Sequence, residues 1–264
     1  MEEFQIPAPS VAHQDQLDKH GYVVLSESIP EIVLEQLIRE VEFLWEIEGE
    51  LAGCEFKQEK NARRLANLVE KSRRFDQVVT HRDSLALVGH VLGTFKLSSL
   101  NARSANPMSA SGQPLHCDGG YLPDKKGPKV ANVVWCLDDF TLDNGTIRVI
   151  PGTHLAGKLP QDVLDHPEKQ HPDEELIKAK AGSLIVMNAH LWHSGVKNRT
   201  HRPRRALHAY YCRRDQPQQQ FQQALLSAET RQVAKGLLRY VLALEEAPLE
   251  GERQGASSVS GFLQ

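Results

Sequence analysis

Leu115-His116-Cys117-Asp118-Gly119-Gly120 carries two hard, metal-compatible side chains two positions apart. Side chains of an extended backbone alternate between faces, so residues i and i+2 look the same way, and His116 and Asp118 point together. One more imidazole from a neighbouring strand completes a facial set of two histidines and one carboxylate. That set leaves three positions of an octahedral metal open, the arrangement expected of non-haem Fe(II) oxygenases. The candidate third ligand lies far downstream, in Trp192-His193-Ser194-Gly195. Cys117 faces the opposite side of an extended chain and reads as a packed small residue, while Gly119-Gly120 lets the backbone turn beside a metal.

Working outward, the runs Phe95–Asn101, Val130–Leu137, Gly145–Ile150, Ser183–Met187 and Ala206–Cys212 are short, apolar or alternating, and separated by turn residues. The first third reads as helices around one strand. Residues 13–20 form a short helix feeding the strand Gly21–Leu25, and a helix after Pro30 buries Leu34, Leu37, Ile38, Val41, Leu44 and Trp45. A further helical pattern spans Phe75 to Leu92, with Gly93 as its C-terminal cap. His81 and His90 fall inside it without ligand spacing and read as packing or surface histidines. Residues 53–73 are polar and mixed in charge, an exposed loop and helix without chemistry; 158–180 read as a surface excursion; and 218–244 have a helical pattern. The chain is therefore expected to be α+β, its strands forming a sandwich or jelly roll.

At 264 residues, 40% hydrophobic and 25% charged, the composition suits one soluble domain over residues 1–250 with a mobile tail at 251–264. A net charge of −3 and scattered basic residues, apart from a cluster at 197–205, argue against nucleic acid. No apolar run approaches the ~20 residues of a membrane helix. Four widely spaced cysteines without C-x-x-C, and an N-terminus lacking a signal pattern, point to free thiols in a reducing cytoplasm. The expected partner is a small-molecule substrate, and the expected state a monomer or weak homodimer.

Two further segments suit the same cavity. Asp143-Asn144-Gly145-Thr146-Ile147-Arg148-Val149-Ile150-Pro151-Gly152-Thr153-His154 is a strand between turn signals, and Gly182 through Asn198 is a buried strand running into a polar turn, followed by Arg202–His208. Together with His-x-Asp, and with His193 followed by Asn198 and Arg204, these resemble the phytanoyl-CoA dioxygenase family of Fe(II)/2-oxoglutarate-dependent oxygenases. The resemblance runs from the Gly21–Leu25 strand through Ala209. It implies a double-stranded β-helix, a cupin-like barrel with helices packed outside. It also implies that His116, Asp118 and His193 bind Fe(II), that Arg204 grips the distal carboxylate of 2-oxoglutarate, and that O2 takes the remaining site. The implied reaction is hydroxylation with release of succinate and CO2. Departures from the family pattern are Cys117, where relatives often carry Gln, and Ile147-Arg148 in place of Leu-containing variants. The carboxylate of Asp118 disfavours halogenation, which needs room for halide.

His190 rivals His193 but lacks the Ser-Gly turn and the spacing to Asn198. Asn101, Arg103 and Trp135 either line the 2-oxoglutarate or substrate pocket or serve as packing (Trp135) and solvent-facing residues (the other two). Thr146 and Ser194 offer hydroxyls either to bound acids or to the backbone. Lys125, Lys126, Lys129, Arg199 and Arg202 are candidate contacts for an anionic substrate. Of the neighbours Arg204 and Arg205, alternation lets one face inward; eleven residues after His193, Arg204 is that one, with Ala206 and His208 on its side and Leu207 on the other. Two other readings of the same residues are a cupin-like isomerase or hydrolase without 2-oxoglutarate, and a non-catalytic binding module.

Overall fold

The computed structural model describes residues 4, 6–56, 58–250 and 252. Among the described residues nine strands form two antiparallel sheets. The larger runs β1 (Tyr22–Leu25), β7 (Leu184–Asn188), β4 (Val130–Cys136), β9 (Arg204–Arg213), β3 (Phe95–Ala105), β2 (Ala62–Leu65); the smaller runs β6 (Glu175–Leu176), β5 (Ile147–Ile150), β8 (Trp192–Gly195). This is the double-stranded β-helix architecture, with the two sheets remaining separate ladders rather than one closed barrel.

The larger sheet is buried on both faces, and its two residue sets do different jobs. Val133 and Trp135 of β4, Leu184 and Val186 of β7, and Leu207, Ala209 and Tyr211 of β9 pack in the cluster that includes helix residues Leu37, Val41, Leu85 and Val88. Each such buried Val or Leu contributes about 1.5–3 kcal/mol relative to exposure. The intervening residues Val134, Cys136, Ile185, Met187 and Ala206 meet Ile147 and Val149 of the smaller sheet. A second layer of helices thus fixes which side of the sheet is left for the cavity.

The helices follow local rules. Ser10 caps α1 (Val11–His20) by accepting from the His13 N–H, and Gly21, at φ 82°, ends it. Helix α2 (Glu31–Glu48) starts directly after Pro30 and buries Leu37, Val41, Leu44 and Trp45.

Several expectations are corrected. The pattern at 75–92 breaks at Thr80, because His81 accepts from the Ser84 N–H and caps a separate helix, Arg82–Leu92. The helical pattern at 218–244 breaks into three short helices, Gln222–Leu225, Ala228–Val233 and Gly236–Val241, because Ser227 caps the second and Gly236 turns at φ 54°. Residues 53–73 contain β2, which extends the larger sheet.

Of the tail expected at 251–264, all but Glu252 lies outside the described residues. Glu252 is buried and accepts from Lys96 Nζ at 2.8 Å, both side chains being 2% exposed. The same carboxylate accepts from the Gln218 and Leu249 N–H groups. Removing one member strands the other charge in the interior, which costs roughly 3–5 kcal/mol. Glu252→Ala is therefore expected to lower the unfolding free energy by that order, and a urea midpoint and slope equal to wild type would refute it.

Candidate metal centre

The His116 and His193 backbones exchange hydrogen bonds, each N–H reaching the other's carbonyl at 3.0 Å. This isolated bridge brings the loop after β3 onto β8 and sets the two imidazoles side by side, ring centroids 4.6 Å apart. A third backbone bond, Asp118 N–H to Ala189 O at 2.9 Å, holds the carboxylate beside them. Asp118 Oδ1 lies 3.9 Å from His116 Nε2 and 3.7 Å from His193 Nε2. All three offer a ligand atom within 4.8 Å of one another.

The outer partners of these residues fix the form that a metal needs. His116 Nδ1 lies 2.9 Å from Pro114 O and His193 Nδ1 2.8 Å from Leu191 O, so each ring donates Nδ1–H to a carbonyl and turns an Nε2 lone pair inward. Burial, then the neighbouring His193, pulls His116 down to about 3, which keeps the ring neutral. Asn132 Nδ2 donates to Asp118 Oδ2 at 3.2 Å and orients the carboxylate. Two imidazoles and one carboxylate form a donor set suited to Fe(II) rather than to the thiolate sites of structural zinc.

Arg204 is 1% exposed and lines the same cavity, whose volume is about 110 Å³. Its Nη2 donates to Gly145 O at 2.6 Å and its guanidinium stacks 4.2 Å from the Phe140 ring, but Nε and Nη1 have no hydrogen-bond partner among the described residues. Burial, reinforced by the charge of Arg103, pulls it down to about 9, still protonated at neutral pH. A buried guanidinium with two orphan nitrogens is costly unless an anion completes it. Arg205 faces away and pairs with Asp138 at 2.6 Å and Glu42 at 3.3 Å.

The remaining candidates separate. Asn101 and Arg103 line the cavity, Asn101 accepting from Gln220 Nε2 at 2.8 Å. Trp135 does not: it lies on the helix-facing side of β4, edge-on to His81 at 5.3 Å, and Asn132 of the alternate set faces the site instead. Thr146 is taken by the backbone, its hydroxyl donating to Ile177 O. Ser194, opposite in phase to His193, accepts from Arg148 Nε at 2.6 Å. His190 is also taken, Nδ1 facing Tyr121 O at 3.1 Å and Nε2 accepting from the Lys129 N–H at 3.0 Å. Lys126 pairs with Asp215, Arg199 with Asp143, and Lys129 lies over the Tyr121 ring; neither these nor Lys125 and Arg202 line the cavity.

Two groups escaped the sequence reading. Arg148, buried behind His193, donates to Ser194, to the Pro167 and Lys169 carbonyls and to Glu174, and so pins the 166–174 segment to the metal-binding strand. The segment is the surface excursion expected, with His166, Glu168, Lys169, Gln170, Pro172 and Asp173 exposed, and Arg148 anchors it at its base. Arg64, in the stretch read as lacking chemistry, lines the cavity with Arg103, and both are paired with Glu59. The run Ala62–Leu65 has two adjacent arginines between buried ends and no period-two alternation, so its sequence carries no signal that singles out Arg64.

A family profile described as phytanoyl-CoA dioxygenase matches residues 17–206. The chain is 31% identical over 208 residues to Dioxygenase af480 of Aspergillus fumigatus, covering 75% of this chain and 65% of that one. It thus spans less than two thirds of that relative's length. Among solved structures, HygX from Streptomyces hygroscopicus with nickel and 2-oxoglutarate bound superposes with a TM-score of 0.62 at 16% identity, over 78% of this chain and 88% of HygX. The non-haem α-ketoglutarate-dependent carbocyclase SnoK from nogalamycin biosynthesis gives 0.64 at 18% identity, over 79% and 86%. At these identities the structural likeness speaks for the fold. No described helix is long and apolar enough to cross a membrane.

Proposed function

The chain belongs to the phytanoyl-CoA dioxygenase family, and from that premise we propose that it is an Fe(II)- and 2-oxoglutarate-dependent dioxygenase that hydroxylates a small organic molecule. His116, Asp118 and His193 would hold iron, and Arg204 the distal carboxylate of 2-oxoglutarate. When bound, the iron and cosubstrate supply oxidative decarboxylation, releasing succinate and CO2 and delivering an oxygen atom of O2 to a carbon–hydrogen bond.

The observation that carries the reading is Arg204, a buried guanidinium with Nε and Nη1 unpartnered in the cavity that also holds the three-residue cluster. A guanidinium fork matches a carboxylate in charge and geometry. An isomerase or hydrolase working without 2-oxoglutarate would leave that fork without a partner, and a binding module would have no need of the aligned Nε2 atoms.

The residues have distinct tasks. The Pro114 and Leu191 carbonyls fix the tautomers of the two histidines. Asn132 orients Asp118, and the strand–strand bridge between His116 and His193 holds the ligands on a rigid frame before any metal arrives. Glu59 and Gln113 keep the cavity's arginine wall in place.

Anaerobic titration tests the reading. Protein loaded with Fe(II) is expected to bind one equivalent of 2-oxoglutarate with a visible metal-to-ligand charge-transfer band, and to form succinate once O2 is admitted. Iron uptake without any 2-oxoglutarate binding would reject it.

A further inference from the structure

We infer that Tyr210, Asn132, Ser99 and Met187 form the substrate wall of this cavity, on the side of the metal centre away from Arg204, and that the group docking there is an uncharged alcohol hydroxyl, which accepts a hydrogen bond from Tyr210 and donates one to Asn132. The inference rests on the proposed dioxygenase function and names the substrate class of that site.

Strand register supplies the first reason. Met187 of β7 pairs with Asn132 of β4, Asn132 with Tyr210 of β9, and Tyr210 with Ser99 of β3, so the four stand in one row across the larger sheet. All four line the cavity. The inward side chains of β9 follow at every second residue, in the order Arg204, Ala206, His208, Tyr210, and six residues of strand set the ends roughly 20 Å apart. Asn132 donates to Asp118 Oδ2, which puts the metal centre level with the Tyr210 row. A cosubstrate carboxylate held by Arg204 therefore takes the rows of Ala206 and His208, and the Tyr210 row is left for a second molecule.

Open hydrogen-bonding capacity supplies the second. Tyr210 Oη and Asn132 Oδ1 are buried and make no hydrogen bond among the described residues, and the two side chains are cross-strand neighbours. The Tyr210 ring packs with Val130, Ala189 and Cys212, which fixes the direction of its hydroxyl. The Tyr121 hydroxyl approaches Tyr210 Oη without making a hydrogen bond of proper length and angle. Burial, then the nearby Tyr121 and Asp118, holds the Tyr210 phenol well above its ordinary value, so it meets a ligand as an O–H donor. An open hydroxyl and an open amide oxygen are costly in the interior unless a ligand completes them, and one alcohol oxygen serves both, accepting on a lone pair and donating its proton. The third reason is charge. The row carries no charged side chain, and Arg64 and Arg103 stand level with Ala206, two rows towards Arg204. A charged group would exchange its hydration for neutral partners, whereas an alcohol replaces its water bonds with equivalent ones.

The test uses the full chain loaded with Co(II) and saturating 2-oxoglutarate, and follows paramagnetic broadening of the methyl proton signals of 2-propanol. Acetone is the match that accepts but cannot donate, and isopropylammonium and acetate are the charged matches. Saturable broadening of 2-propanol is expected, roughly threefold or more tighter than acetone and either ion. The preference over acetone reports the Asn132 acceptor and needs no variant. Tyr210→Phe should weaken 2-propanol by roughly three- to tenfold, the loss of one hydrogen bond, with Co(II) and 2-oxoglutarate affinity unchanged and a urea midpoint no lower than wild type. Lys126→Met, at the exposed loop, should have no effect. The inference is overturned if 2-propanol does not saturate, if acetone or either ion binds as tightly, or if Tyr210→Phe binds it like wild type. It is also overturned if Tyr210→Phe is destabilised or loses 2-oxoglutarate, which would assign the hydroxyl to the fold or to the cosubstrate. Uptake of Co(II) without 2-oxoglutarate fails the dioxygenase reading, whereas 2-oxoglutarate uptake without saturable 2-propanol fails this inference alone.

Discussion

Asp118→Ala is expected to abolish Fe(II) binding and substrate-stimulated succinate formation while the fold survives. Asp118 supplies the only negative charge in the three-residue cluster, placed 3.7 and 3.9 Å from the two histidine Nε2 atoms. Removing even an outer partner of a metal ligand typically costs ~10–100-fold in affinity, so removing the charged ligand should cost more. The fold should tolerate it, because among the described residues the side chain's one hydrogen bond is accepted from Asn132 and the bond from its N–H to Ala189 O belongs to the backbone. His193→Ala should lose iron in the same way. His190→Ala separates the local histidine from the ligand: it removes the acceptor of the Lys129 N–H and the partner of Tyr121 O, so stability falls by about 1–3 kcal/mol, but most iron affinity is retained. Calorimetric metal titration, with circular dichroism on each variant, decides. Wild-type iron content in Asp118→Ala would end the triad assignment.

Arg204→Ala is expected to raise the 2-oxoglutarate requirement by at least an order of magnitude, and Arg205→Ala to change it little. The two residues are neighbours on β9 with opposite surroundings. Arg204 is 1% exposed with two unpartnered nitrogens in the cavity. Arg205 is half-buried on the other face and already bound to Asp138. The loss in Arg204→Ala corresponds to roughly one charge-assisted hydrogen bond, ~1.5–3 kcal/mol. Arg205→Ala acts instead on stability, since Asp138 loses its bidentate partner. Measuring 2-oxoglutarate affinity of both iron-loaded variants distinguishes them. A strong loss in Arg205→Ala with a near-normal Arg204→Ala would mean that the cosubstrate is held from the other face of the strand.

What the sequence by itself determined was whatever depends on neighbours along the chain. The i, i+2 relation put His116 and Asp118 on one side and Cys117 on the other, where its thiol reaches His190 O at 3.1 Å. The same period separated Arg204 and His208 from Arg205 and Leu207. The Ser10 cap and the apolar stripe of α2 are equally local.

Only the tertiary structure decided which face of β4 meets the cavity. Every residue of β4 is buried, so no polar–apolar alternation marks its inner side, and Trp135 went to the helices while Asn132 went to the site. Charged residues in apparent loops were the other blind spot. Glu59 and Glu174 sit in polar stretches, yet the fold largely covers each beside an arginine from another segment, Arg103 for Glu59 and Arg148 for Glu174. Lys96 and Glu252 are the extreme case, joined across 156 positions of chain. Burial of a charge is tolerable only when its partner is already in place, and no period or propensity in the sequence records where that partner will be.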